Sequence, residues 1–229
     1  MKPKILFFDI ESCGVNALHA DLGFLVVFGY KWAGDKTAHA LLPTRDELRN
    51  FDDKRIVTEA SKLFAEADIV VAHFGSVFDR RMLQGRLLIH KLEPIPPTKM
   101  RDTCMIARSV ANFSSNRLKH LANILELRHK KTENGWPTSW FEVMKGNMKA
   151  LGEMAEYCRH DVLALEELYY RLQPFDQPHP RVVEDKSKCA TCGGKVQYRG
   201  FTFISERKYR RFQCTECGRW GRERKAVKI

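Results

Sequence analysis

Asp9 and Glu11 stand two residues apart at the end of an apolar run, Ile5-Leu-Phe-Phe-Asp-Ile-Glu-Ser12. On a β-strand such residues share a face, so the two carboxylates would repel each other across a few ångström. An unpaired carboxylate in a low-dielectric site costs several kcal/mol or takes up a proton; a metal, a cationic partner or exposure at a strand end relieves the cost. Two readings fit: the strand ends at Phe8 and the acids open a solvated turn, or the acids are metal ligands. Asp79 follows Phe78 at the expected start of a helix, where a carboxylate gains about 0.3–1 kcal/mol from the helix dipole, and it reads either as a helix-start acid or as part of a site. Tyr157 and Asp161 fall at i and i+4 on an otherwise apolar helix face, so they are either hydrogen-bonded to each other or turned toward a functional site.

A second chemistry lies near the C-terminus. Cys189-Ala-Thr-Cys192-Gly and Cys214-Thr-Glu-Cys217-Gly are two C-x-x-C-G knuckles. Four thiolates at this spacing are the tetrahedral Zn²⁺ ligands of a zinc ribbon, and the glycine after each pair permits a tight turn. A dithiol redox function would leave the second knuckle without a use. So short a segment lacks a sufficient core, so the metal is expected to be required for its folding. The other cysteines, Cys13, Cys104 and Cys158, sit alone in apolar or helical patterns and read as small core residues of a reducing compartment.

Around the knuckles, Phe201, Phe203, Tyr209, Phe212 and Trp220 are interleaved with cations, of which Arg207, Lys208, Arg210, Arg211, Arg219 and Arg222 are the candidate nucleic-acid contacts. Exposed rings can stack on bases while cations meet phosphates, a combination suited to single strands. The same rings also fit a ribbon that packs its aromatics inward. Residues 181–229 hold 14 Lys and Arg against 5 acids, a net +9, out of +11 for the 229-residue chain. This balance favours a polyanionic partner, nucleic acid before an anionic membrane surface.

The elements that must position these groups follow from periodicity. Residues 4–10, 22–32 and 38–42 read as three strands in a meander, 53–66 as a helix, 69–72 as a short central strand and 77–90 as a helix with Met82, Leu83 and Leu87 inward. Prolines at 94, 96 and 97 break the pattern. Helical periods return at 102–111 and 117–126, residues 130–140 read as a surface loop, and 149–172 is the last long helix. Pro174–Pro180 is a proline-punctuated linker, with a boundary near 178 that separates an α/β domain, 1–178, from the ribbon, 179–229.

Asp-Ile-Glu on a first strand, Phe-Asp after a later strand and Tyr157-Cys-Arg-His-Asp161 on a C-terminal helix resemble, in order and spacing, the three motifs of the DEDD superfamily of 3′-to-5′ exonucleases, tyrosine-type branch. The resemblance covers residues 3–172. It implies an RNase H-like fold, a mixed central sheet flanked by helices. It also implies two Mg²⁺ or Mn²⁺ ions held by Asp9, Glu11, Asp79 and Asp161, with Asp9 bridging and Tyr157 orienting the attacking water. One position departs: the second motif usually has Asn four residues before its Phe, and Phe74 stands there, which bears on substrate handling more than on metal binding. His73 or Ser76 could substitute for that Asn, although a strand-end His is more often structural. Asp102 reads as a helix cap, and Arg117, at a helix start, either meets a phosphate or is solvated.

The reading is therefore a metal-dependent 3′-to-5′ exonuclease acting on DNA, with single-stranded 3′ ends favoured. A ribonuclease, a structure-directed endonuclease or a catalytically weak binding protein of the same fold are the alternatives. Neither a membrane-length apolar run nor a signal-peptide pattern occurs, so the expected setting is cytoplasmic, and the architecture is analogous to that of small stand-alone bacterial or phage nucleases. A monomer that assists a replication or repair protein is the expected assembly.

Overall fold

A computed structural model describes residues 3–129 and 140–227; the loop expected at 130–140 lies outside them except for Trp140. The chain divides into two compact units, Lys4–Tyr169 and a second that takes in the residues from Tyr170 onward together with Pro3.

In the first unit five strands form one mixed sheet: β1 (Ile5–Gly14), β2 (Gly23–Trp32), β3 (His39–Leu41), β4 (Ile69–Ala72) and β5 (Lys99–Asp102), in spatial order β3-β2-β1-β4-β5. The first three are an antiparallel meander, and β4 and β5 add in parallel to β1. Parallel additions need crossovers, supplied by α2 (Lys54–Glu66) and α3 (Asp79–Ile89). The remaining helices are α1 (Arg45–Arg49), α4 (Thr103–Val110), α5 (Leu118–Ile124), α6 (Trp140–Met144) and α7 (Met148–Leu172). Strand β1 runs four residues past the expected end, which places Asp9 and Glu11 inside a paired strand and removes the solvated-turn reading.

The pleat divides β1 between two environments. Leu6, Phe8 and Ile10 join the core built with Ile56, Val57, Ala60 and Phe64 of α2 and Met82, Leu83 and Leu87 of α3. Phe7, on the alternate side, packs edge-on against Tyr169 of α7 at 5.5 Å. Buried polar groups fix the helices further. Lys31 of β2 pairs with Glu166 of α7 at 2.7 Å. The fully buried Asp53, just before α2, accepts from Arg86 of α3 and from the Leu25 amide.

In the second unit, β6 (Val196–Ile204), β7 (Arg207–Cys214) and β8 (Trp220–Arg222) form an antiparallel three-stranded sheet. It is the ribbon expected between and after the knuckles.

Candidate functional site

The carboxylates meet where β1, α3 and α7 come together. Asp9 pairs across the sheet with Gly29 of β2, and a Cβ on Gly29 would lie 2.5 Å from Sγ of Cys158. Glycine there lets α7 approach the strand closely enough for the Cys158 thiol to reach Asp9 Oδ2 at 3.4 Å. Tyr157 precedes Cys158 and is half-buried; Asp161, one turn further, is buried with Met154, Leu165 and Leu168 along the same helix.

Asp79 is the first residue of α3 and is buried. β4 ends at Ala72 and pairs with β1 only as far as Phe7, so the β1 backbone beyond that point needs another acceptor. Asp79 Oδ1 supplies one, accepting from the Ile10 amide at 3.0 Å. This bond ties the second motif to the strand of the first. Glu11 is half-buried two residues on, just before a bulge in the β1–β2 pairing.

The electrostatics record how crowded the group is. Burial, then the charges of Asp79, Glu11 and Asp161, push the Asp9 carboxyl well above the ordinary carboxylate range, with the Cys158 thiol opposing weakly. Asp79 is raised to about 7, chiefly by burial, against the pull of its backbone hydrogen bonds and with a contribution from Asp102. Cys13 is pushed up to about 12 by burial and by Glu11. A buried Asp9 carboxyl whose proton affinity three neighbouring carboxylates raise belongs to a hard oxygen-donor set of the kind that fits divalent cations such as Mg²⁺ or Mn²⁺, whose charge would offset the repulsion.

Asp102 does more than the helix cap anticipated for it. Its Oδ1 accepts from the Cys104 and Met105 amides at the start of α4 and from the Phe74 amide at 2.9 Å. Its Oδ2 accepts from the Ser76 amide and hydroxyl at 3.0 and 2.5 Å. A single carboxylate thus shapes the turn from β4 into α3 and thereby sets where Asp79 begins its helix. Gly75 lies in this turn, where a Cβ would fall 2.4 Å from that of Ala72. Only the spacing of Asp102 from a helix start is visible in the sequence; its long-range bonds to 74 and 76 leave no local signal.

Phe74 has φ +65°, a left-handed conformation that Asn adopts more readily than Phe. Its ring is 38% exposed, with the Arg108 guanidinium 5.6 Å from its centroid. The two candidate substitutes for the usual Asn are engaged. His73 uses Nδ1 with Thr103 Oγ1 and Nε2 with the Asn116 carbonyl, both at 2.9 Å, and Ser76 bonds Asp102. Arg117 is exposed at the start of α5.

In the second unit all four thiols of Cys189, Cys192, Cys214 and Cys217 lie within 4.8 Å of one another, with Cys189–Cys217 at 3.7 Å and Cys192–Cys214 at 3.5 Å. A tetrahedral thiolate cage with metal–sulfur bonds of about 2.3 Å has edges of ~3.8 Å, so the set fits a metal ion. Gly193 and Gly218 have φ +78° and +74°, the left-handed conformation each knuckle turn requires. Cys13, Cys104 and Cys158 are all buried in the first unit.

The predicted cationic contacts do not share one surface. Lys208 and Arg210 alternate along β7 on one side of the sheet, Arg207 and Arg211 on the other, where Arg211 pairs with Arg222 of β8; Arg219 donates to the Gln177 carbonyl. Of the rings, Tyr209 is buried, Phe212 half-buried, and Phe201, Phe203 and Trp220 exposed. Tyr198 is a further exposed ring, set apart by no motif in the sequence.

Among known proteins, residues 6–173 match the model of the RNase H superfamily. The DNA polymerase III PolC-type of Ureaplasma parvum serovar 3 is 25% identical over 169 residues, which cover 62% of this chain and 12% of that protein. The chain thus spans about an eighth of the length of this curated relative. The solved family B DNA polymerase of the hyperthermophilic archaeon Pyrobaculum calidifontis superposes with a TM-score of 0.59 at 16% identity, over 75% of this chain and 25% of that one, a likeness of fold. Since the family match takes in every element of the mixed sheet and the whole of α7, the chain belongs to the RNase H superfamily.

Proposed function

We propose that the protein is a metal-dependent 3′-to-5′ exonuclease that removes nucleotides from the 3′ end of single-stranded DNA. The carrying observation is the convergence of Asp9, Glu11, Asp79 and Asp161, three elements' carboxylates that mutually raise the Asp9 proton affinity. Family membership and the similarity to a DNA polymerase support nuclease chemistry.

Divalent ions bound there supply Lewis acidity at the scissile phosphate and an acidified water. Asp9, Glu11, Asp79 and Asp161 would hold the ions. Tyr157 would orient the attacking water in line with the leaving oxygen, a positioning role to which a phenol is better suited than to base catalysis. The four cysteines hold one structural Zn²⁺, which folds the ribbon, and the ribbon grips the nucleic acid. A replication or repair protein is the natural partner of such a monomer.

The test is to incubate 5′-labelled single-stranded DNA, its RNA counterpart and a duplex with Mg²⁺ or Mn²⁺. A descending ladder on the single-stranded DNA is expected, and Asp9→Ala should abolish it while Tyr157→Phe slows it. One discrete cut, or degradation by Asp9→Ala, would overturn the proposal.

A further inference from the structure

One side of the β6–β7 hairpin carries an arrangement that the strand sequence alone would scatter. Tyr198 pairs with Phe212, Phe201 with Arg210, and Phe203 with Lys208. Directly paired residues of an antiparallel ladder project to the same face, and so do alternate residues of one strand. Tyr198, Phe201, Phe203, Lys208, Arg210 and Phe212 therefore share a face.

Tyr198 and Phe201 are three apart, a separation that in a regular strand puts them on opposite faces. They come to the same side because the register shifts between them: a bulge inserts one residue into β6. Gly200 in the bulge has φ +79°, and the Arg199 carbonyl accepts from Arg211 Nε at 2.6 Å. The extra residue thus aligns three rings.

Those rings are open to solvent, Tyr198 at 51%, Phe201 at 44% and Phe203 at 66%. Cations lie over two of them: Lys208 Nζ is 4.2 Å from the Phe201 centroid and the Arg210 guanidinium 5.7 Å from that of Tyr198. Glu223 accepts from the Tyr198 hydroxyl at 2.7 Å and fixes that ring's edge. The segment's net charge of +9 selects a polyanion. A row of exposed rings with cations between them suits a polyanion whose own flat faces are free to stack, which a duplex conceals.

We infer that the Tyr198–Phe201–Phe203 face, with Lys208 and Arg210, is a stacking platform for single-stranded nucleic acid. Arg207, Arg211 and Arg222 of the opposite side add only long-range attraction. This rests on the reading of the chain as acting on nucleic acid.

The test uses the full zinc-loaded chain without added Mg²⁺ or Mn²⁺, with 5′-labelled oligothymidylate and a labelled duplex followed by fluorescence anisotropy. Phe201→Ala with Phe203→Ala should weaken oligothymidylate binding about tenfold or more without altering the dependence on salt. Lys208→Ala with Arg210→Ala should lower the slope of log affinity against log salt by about 1.4, roughly 0.7 per cation on a single strand. Thr202→Ala with Ile204→Ala, on the reverse face, should bind as the parent does, and one zinc per chain in each variant confirms the fold. Unchanged affinity in Phe201→Ala with Phe203→Ala, an equal loss in the reverse-face variant, or a duplex bound as tightly as the single strand would overturn the platform. The two proposals fail separately. A parent chain that shows the ring-dependent binding but cuts nothing overturns the nuclease, and one that degrades DNA with ring-independent binding overturns the platform alone.

Discussion

The carboxylates of the Lys4–Tyr169 unit stand on a strand and two helices whose other faces are packed in apolar core. The thiols of the ribbon have little of this around them: among the described residues from Tyr170 onward, the buried apolar side chains are Leu172, Cys189, Tyr209 and Cys214. Both sites gather groups that repel once ionised. On the proposed reading, the fold supplies the energy to hold the charges together in the first and a metal would relieve a strain, whereas in the second metal binding would be the source of the folding energy. Ligand sets of similar charge can therefore stand in opposite causal relation to the structure that carries them.

Removing the proposed zinc breaks this comparison most directly. Chelation, or Cys192→Ser, should unfold β6–β8, since binding of a structural zinc releases about 10–16 kcal/mol, while the β1–β4 amides keep their protection in hydrogen exchange. Ribbon amides that stay protected after chelation would show that the two units are stabilised alike.

Next in size is the response of the first site to pH. Asp79 titrates near 7 in the fold against an ordinary carboxylate value near 4 when unfolded, so between these the native state binds the extra proton. Below about pH 4 both states are protonated and the group contributes nothing; as pH rises toward 7 the metal-free protein should lose on the order of a few kcal/mol, and no more above that. Denaturation midpoints should fall more steeply with rising pH in the parent than in Asp79→Asn, which keeps the raised Asp9 carboxyl, and Mg²⁺ or Mn²⁺ should suppress the difference. A flat difference between the two proteins would mean that the carboxylates are not strained.

Gly29→Ala probes the same packing from the opposite strand. The added methyl meets Cys158 Sγ at 2.5 Å and should cost about 1–3 kcal/mol, read by urea denaturation. Adding Cys158→Ala removes the clash, so the pair should be closer to the parent than Gly29→Ala is. The smallest effect is expected at Phe74. Its left-handed backbone should accept Asn at little cost, whereas Phe74→Val should be less stable than Phe74→Asn by about 1–2 kcal/mol.

What could be read from the sequence were the features whose signal is local. Asp9 and Glu11 declare themselves by a two-residue period, Tyr157 and Asp161 by a four-residue one, and the knuckles by C-x-x-C-G. Strands β1 to β4 and the long helix followed from runs of the right period, while the mixed sheet followed from the resemblance of the motifs. The short helices α1 and α6 have five residues each, too few for a period to emerge, and β5 reads Lys-Met-Arg-Asp, without the apolar character of a strand. Gly29 and Asp102 act on residues far away in the chain, and their roles exist only once β2 meets α7 and β5 meets the turn after β4. The ribbon face was hidden for a different reason: a single inserted residue reverses the parity on which any strand-face reading depends.

The polar character that concealed β5 has a use of its own. The mixed sheet ends on one side at β3, three residues long, and on the other at β5, four residues long, charged at Lys99 and Arg101 and entered through Pro94, Pro96 and Pro97. An exposed strand edge is a template on which another molecule can extend the ladder, and brevity, charge and proline all spoil it. The apolar strands β1, β2 and β4 lie inside these two blunted margins. The sheet therefore resists growing into its neighbours as the protein becomes concentrated.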